Sequence, residues 1–195
     1  MEKKKINLRF SVITVMILLA ALSRLLPHPP NFAPIGGMAL FGAAYFGKRY
    51  WAFLVPIISM WISDLILNNV VYGQYFDHFV WFYGGSLFTY GAFALIVLFG
   101  MLMLKKVRLL SLIVSALGAS VIFFLVSNFG VWFSGTMYPK DFGGLITCYT
   151  AGLPFFRNTI AGDLVYSAVM FGVFEWSARR FPQLRLQTAS LKTNK

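Results

Sequence analysis

Carboxylates are scarce in this chain: six Asp and Glu side chains stand against seventeen Lys and Arg in 195 residues. Charged residues of both signs make up only 12%, about half the share usual in a soluble domain. That leaves too little charged surface to keep a folded chain of this size in water. With 58% hydrophobic residues and a mean hydropathy of +0.72, the expected solvent is lipid. Cysteine is nearly absent too. Cys148 stands alone, which excludes an internal disulfide and any multi-cysteine metal site. His28 and His78 have no third ligand at a sensible spacing, so no metal is expected.

Catalytic signatures are also missing. There is no H-E-x-x-H, no G-x-S-x-G and no phosphate loop. The expectation is a protein that is not an enzyme, has no catalytic residue or cofactor, and does not power itself with ATP. The net charge of +11 raises nucleic acid as a partner. The basic residues argue against it, because they fall in short clusters between apolar runs, as membrane topology requires.

Six apolar runs separated by punctuation are present. They are roughly Leu8–Leu26, Ile35–Gly47, Trp51–Val71, Phe79–Leu104, Leu109–Phe133 and Leu153–Trp176. A helix crosses about 30 Å of hydrocarbon in about 20 residues, so the pattern predicts an all-α integral membrane protein, a six-transmembrane-helix bundle. Residues 1–186 form its single domain and residues 187–195 a disordered cytoplasmic tail. The first run follows MEKKK but lacks a small-x-small cleavage site, so it reads as an uncleaved span rather than a signal peptide.

Lys and Arg placement orients the bundle. With the N-terminus in the cytoplasm and six crossings, Lys3, Lys4, Lys5, Arg9, Lys48, Arg49, Lys105, Lys106, Arg108, Arg179, Arg180, Arg185, Lys192 and Lys195 lie inside. Only Arg24, Lys140 and Arg157 lie outside. This asymmetry predicts N-in and C-in termini. Small residues recur every four positions at Ala39, Ala43 and Gly47, and at Ser111, Ser115 and Ala119. Such stripes allow close helix approach, within the chain or with a partner.

The unusual polar residues gather towards the outer side. A carboxylate at mid-bilayer costs on the order of 3 kcal/mol, so it faces a partner or a cavity. Asp64 shares a helical face with Trp61 and Asn68, Asn128 with Trp132 and Phe124, and Asp163 with Tyr166. Arg157 and Asn158 enter the sixth span from outside. Three helices can thus line one cavity with aromatic and hydrogen-bonding groups, as pockets for small ring-bearing solutes are lined. The expected substrate-binding residues are Asn31, Asp64, Asn68, Asn128, Trp132, Arg157, Asn158 and Asp163. The same carboxylates equally suit pairing with Arg24 or Arg157 to lock helices. Arg157 also suits a carboxylate or phosphate on a solute.

Between the first two runs lies RLLPHPPNFAPIGG, with Pro27, Pro29, Pro30 and Pro34. Proline fixes φ and removes a donor, and it holds its predecessor extended. Such a loop resists helix formation and loses little entropy when it closes. It reads as a lid or wall of an outward-facing pocket, or as a rigid re-entrant connection. Non-helical backbone at membrane depth is tolerated only against protein or a wet cavity.

PNFAPIGGMALFGAAYFG, ISDLILN, SNFGVW, MYP and YTAGLPFFRNTIAGDLVYSAVMFG together resemble an uncharacterised family of bacterial transport proteins. That family is grouped with the substrate-binding S components of energy-coupling-factor (ECF) transporters, and the likeness runs from about Leu8 to Trp176. It implies uptake of a small-molecule micronutrient from the outer side of the bacterial inner membrane. The solute would be a vitamin or vitamin precursor, with a corrinoid among the candidates. S components dock on a shared ECF transmembrane coupling subunit carrying two ATPases, commonly through A-x-x-x-A on the first helix. Here Ala20 and Ala21 have no second alanine four residues away, so docking and a solitary carrier both stay open. The alternatives are a membrane scaffold or assembly factor whose polar residues only tie helices, and an intramembrane enzyme acting on a lipid or cofactor precursor.

Overall fold

The computed structural model of the protein describes residues 8–185. The expected tail at 187–195 and Lys3, Lys4, Lys5, Lys192 and Lys195 lie outside the described residues. Six helices follow in order: α1 Leu8–Leu22, α2 Ile35–Tyr45, α3 Arg49–Ile66, α4 Ser86–Met103, α5 Leu109–Ser134 and α6 Phe142–Arg180. A 3₁₀ turn at Ser23–Leu25 extends α1, and one π turn at Leu67–Val71 extends α3. No strand occurs among the described residues. Four segments are long and apolar enough to cross a membrane: Leu8–Leu25, Arg49–Val71, Ser86–Met103 and Leu109–Ser134.

The shortest helix organises the rest. At 1.5 Å per residue α2 is about 16 Å long, half a hydrocarbon core. It is apolar on every side, the mark of a helix surrounded by others. Nine of its residues are buried, and it packs against each of the other five helices. Small residues make this possible. A Cβ at Gly42 would stand 2.9 Å from the Pro56 ring and 3.2 Å from the Ala52 carbonyl oxygen. A Cβ at Gly100 of α4 would stand 2.9 Å from the Ala43 Cβ. The Ala39–Ala43 part of the small-residue stripe is therefore occupied within the chain, whereas Gly47 faces open space.

Two boundaries differ from the expected runs. The fourth helix starts at Ser86 rather than Phe79, because Gly85 takes the left-handed conformation at φ 82° and breaks the segment. The sixth starts at Phe142 rather than Leu153. Asp141 caps it, its side chain accepting from the Gly144 N–H at 2.7 Å. Cys148 and Tyr149, expected in an outer loop, are thus helical, and the Cys148 thiol lies buried 3.4 Å from the Asn128 carbonyl oxygen.

Side-chain ties fix which helix ends lie together. Arg9 donates to the carbonyls of Tyr45 and Leu184, bringing the start of α1, the end of α2 and the end of α6 to one end of the bundle. Asn158 of α6 donates to the Pro30 carbonyl at 2.9 Å at the other end.

Overfilling the α2–α3 contact tests this packing. Gly42→Val should lower unfolding stability in detergent by about 1–3 kcal/mol, while Gly47→Ala, in open space, should leave the melting temperature unchanged or slightly raised.

Candidate functional site

Two deeply buried carboxylates anchor the end of the bundle that carries the proline loop. Asp64 on α3 is 4% exposed. Its Oδ1 accepts from Arg24 Nη1 at 2.7 Å and its Oδ2 from the Tyr90 hydroxyl at 2.7 Å. The same Arg24 nitrogen lies 2.7 Å from Ser63 Oγ and 3.1 Å from Met60 Sδ. Each of these Arg24 side-chain hydrogen bonds runs through Nη1. Its Nε and Nη2 have no protein hydrogen bond among the described residues.

Asp163 on α6 is 1% exposed and has no cationic partner among the described residues. Its Oδ1 accepts from the Gly36 N–H at 2.8 Å and its Oδ2 from the Ser120 hydroxyl at 2.7 Å. Gly36 lies in the first turn of α2, whose N-cap, Pro34, supplies no side-chain cap. Asp163 therefore caps α2 from across the bundle, placing negative charge where the helix presents unsatisfied N–H groups. A Cβ at Gly36 would run into this carboxylate, which is why glycine stands there.

The proline loop is fastened along one face of α6. Asn158 holds the Pro30 carbonyl. Gly162 lets the Ala33 backbone approach, where a Cβ would stand 2.9 Å from the Ala33 nitrogen. Asp163 holds Gly36, and the Tyr166 ring lies 5.9 Å from that of Phe32. Asn31 turns the loop at φ 62°, a left-handed conformation that asparagine tolerates. These ties hold the loop against α6, as a wall of a pocket and a re-entrant connection both require.

Behind the wall is a cavity of about 370 Å³, within the range of small-ligand sites. Arg24, His28, Asn31 and Asp163 line it, with Thr89 and Tyr83 near α4 and Ser127 and Asn128 from α5. Burial pushes the Tyr83 phenol above its ordinary value, so it stays a neutral hydroxyl. Met60, Ile35 and Phe123 supply apolar wall. Among the described residues no group of three His, Cys, Asp or Glu could hold a metal.

Of the eight residues expected from sequence, Asn31, Asn128 and Asp163 line this cavity, and Asp64 sits one layer back holding Arg24. The other four do not line it. Asn68 lies in the π turn beside a separate cleft with Asn69 and Asp77. The Trp132 indole donates to the Pro139 carbonyl at 2.8 Å, and Lys140 donates to the Trp132 carbonyl, so both tie down the α5–α6 turn. Arg157 is exposed and Asn158 fastens the loop. Sequence reasoning left Arg24 out of the site, although an arginine ending an apolar span was the available signal. Thr159, four residues before Asp163 on the same face, was also readable and missed.

The chain matches the model of a family of unknown function, DUF6580, over residues 4–184. It belongs to that family. No curated protein and no solved structure matches it.

The Arg24–Asp64 pair yields a clear expectation. Arg24→Ala strands a buried carboxylate and should cost about 3–5 kcal/mol. The paired Arg24→Gln/Asp64→Asn change keeps hydrogen bonding without a lone charge and should restore most of that loss in the same denaturation assay.

Proposed function

We propose that this member of a family of unknown function is a six-span uptake protein of the bacterial inner membrane. It takes a small anionic solute from the outer side into the cavity behind the proline loop. One observation carries the reading. Arg24 lines the cavity with its Nε and Nη2 making no protein hydrogen bond among the described residues, beside hydroxyls, amides, apolar side chains, His28 and an Asp163 carboxylate that already accepts from the Gly36 N–H and the Ser120 hydroxyl. A carboxylate or phosphate is the natural partner of such a fork. Asp64 holds the guanidinium in place and leaves that fork free.

The resemblance of its motifs to S components supports a vitamin or vitamin precursor as the solute. The energy comes either from a docked ECF module or from a solitary-carrier mechanism. In this reading α2 and the proline loop together make one crossing. α6, about 58 Å at 1.5 Å per residue, makes the last and projects beyond the bilayer. Arg9, Lys48, Lys105 and Arg179 lie at helix ends facing the cytoplasm, in keeping with positive-inside bias. A scaffold is the second reading. It is favoured by the many polar groups that tie elements together, Asn158 to Pro30 and Trp132 to Pro139 among them.

Solute extracted from the purified full chain and identified by mass spectrometry separates the two. Uptake predicts a carboxylated or phosphorylated compound enriched with the wild type and reduced at least tenfold in Arg24→Gln/Asp64→Asn. A folded wild type carrying no enriched solute, and gaining no thermal stability across a panel of anionic vitamins, supports the scaffold.

Orientation has its own test, single cysteines in a Cys148→Ser background probed with a membrane-impermeant maleimide on intact cells. Asp77→Cys should label and Lys106→Cys should not. The reverse pattern rejects the outward-facing cavity.

A further inference from the structure

A second cavity of about 370 Å³ lies at the opposite end of the bundle, between α5 and α6. Its walls are mostly apolar, with Leu112 and Ala116 on α5 and Leu164 and Phe171 on α6, and Ser167 as the polar group between them. One end is strongly polar, formed by Arg108, Arg179 and Glu175.

The dimensions have a meaning. The α6 wall repeats at Leu164, Ala168, Phe171, Glu175 and Arg179, which is one face of a helix. From Leu164 to Arg179 it runs about 22 Å at 1.5 Å per residue. The α5 wall from Ala116 back to Arg108 runs about 12 Å. One leaflet contributes about 15 Å of hydrocarbon. The groove is therefore about as deep as one leaflet, apolar along its length except at Ser167, and carries two arginines to one carboxylate where the headgroups lie.

The cations have too little counter-charge within the chain. Asp64 pairs with Arg24, Asp163 caps α2 and Asp141 caps α6. Glu175, which accepts from the Tyr45 hydroxyl at 2.5 Å, is the one carboxylate lining the groove against the two arginines. Neither Arg108 nor Arg179 forms an ion pair among the described residues. The last ten residues, LQTASLKTNK, contain no acid.

We propose that this groove binds one anionic phospholipid of the cytoplasmic leaflet. An acyl chain lies between α5 and α6, and the phosphate is held by Arg108 and Arg179. Basic pockets between membrane helices on that side bind such headgroups, and arginine forks suit phosphate. The site rests on membrane insertion with this end facing the cytoplasm. It is separate from the outer cavity, so a failure to bind a solute there leaves it standing.

Native mass spectrometry of the full chain in detergent tests it, with phosphatidylglycerol, phosphatidylcholine or inorganic phosphate added. The expected result is one retained phosphatidylglycerol per chain and a melting temperature raised by several degrees, with neither effect from phosphatidylcholine or phosphate. Arg108→Gln/Arg179→Gln should cut retention at least tenfold. Gly172→Leu is a second variant that leaves both arginines in place, and a Cβ at Gly172 meets no atom within 4 Å. It should obstruct the groove and expel the lipid, with circular dichroism checking that the protein stays folded. Undiminished retention in both variants overturns the proposal. So does equal stabilisation by inorganic phosphate, which marks a bare anion site, or by phosphatidylcholine, which marks general solvation.

Discussion

A polar group inside lipid has no water to turn to, so it must be satisfied by other parts of the protein or by a wet cavity. Asp64 and Asp163 impose this constraint most strongly, and much of the half of the bundle that carries the proline loop is arranged around them. Asp64 draws in Arg24 from the end of α1 and Tyr90 from α4. Asp163 draws in the start of α2 and Ser120 from α5. Between them the two carboxylates engage every helix. The cavity lies where these two networks face each other.

Much of this was legible in the sequence, for a physical reason. An ionisable residue in an apolar run is costly enough to mark a place where helices meet, so Asp64, Asn128 and Asp163 stood out. The proline loop stood out because four prolines cannot continue a helix. The failures are equally specific. Asn68 was placed on the Asp64 face by helical spacing, but the chain passes into a π turn at Leu67, which shifts the phase. Trp132 does continue the Asn128 face, yet its indole is engaged by the Pro139 carbonyl. The early start of α6 was hidden by Gly143 and Gly144. They look like loop residues, but Gly144 is small because its Cα abuts the Pro139 carbonyl.

The two ends of the bundle use arginine in contrasting ways. Arg24 is held by an acid through one nitrogen, lines the cavity, and keeps its other two nitrogens free of protein hydrogen bonds among the described residues. Arg9 is spent on backbone carbonyls and lies over the Tyr45 and Phe174 rings, 5.7 Å and 5.2 Å from their centroids. The first suits recognition and the second suits closure. A basic residue's role here follows from how many of its donors the protein has already consumed, and net charge alone does not report it.

The cap on α2 also bears on how the chain is made. Residue 36 leaves the ribosome 127 positions before the carboxylate that completes it. Until then a half-length helix with unsatisfied amides must wait, too short to hold itself in the bilayer. The cap is therefore completed only once α6 exists, and the last helix is what closes the start of the second.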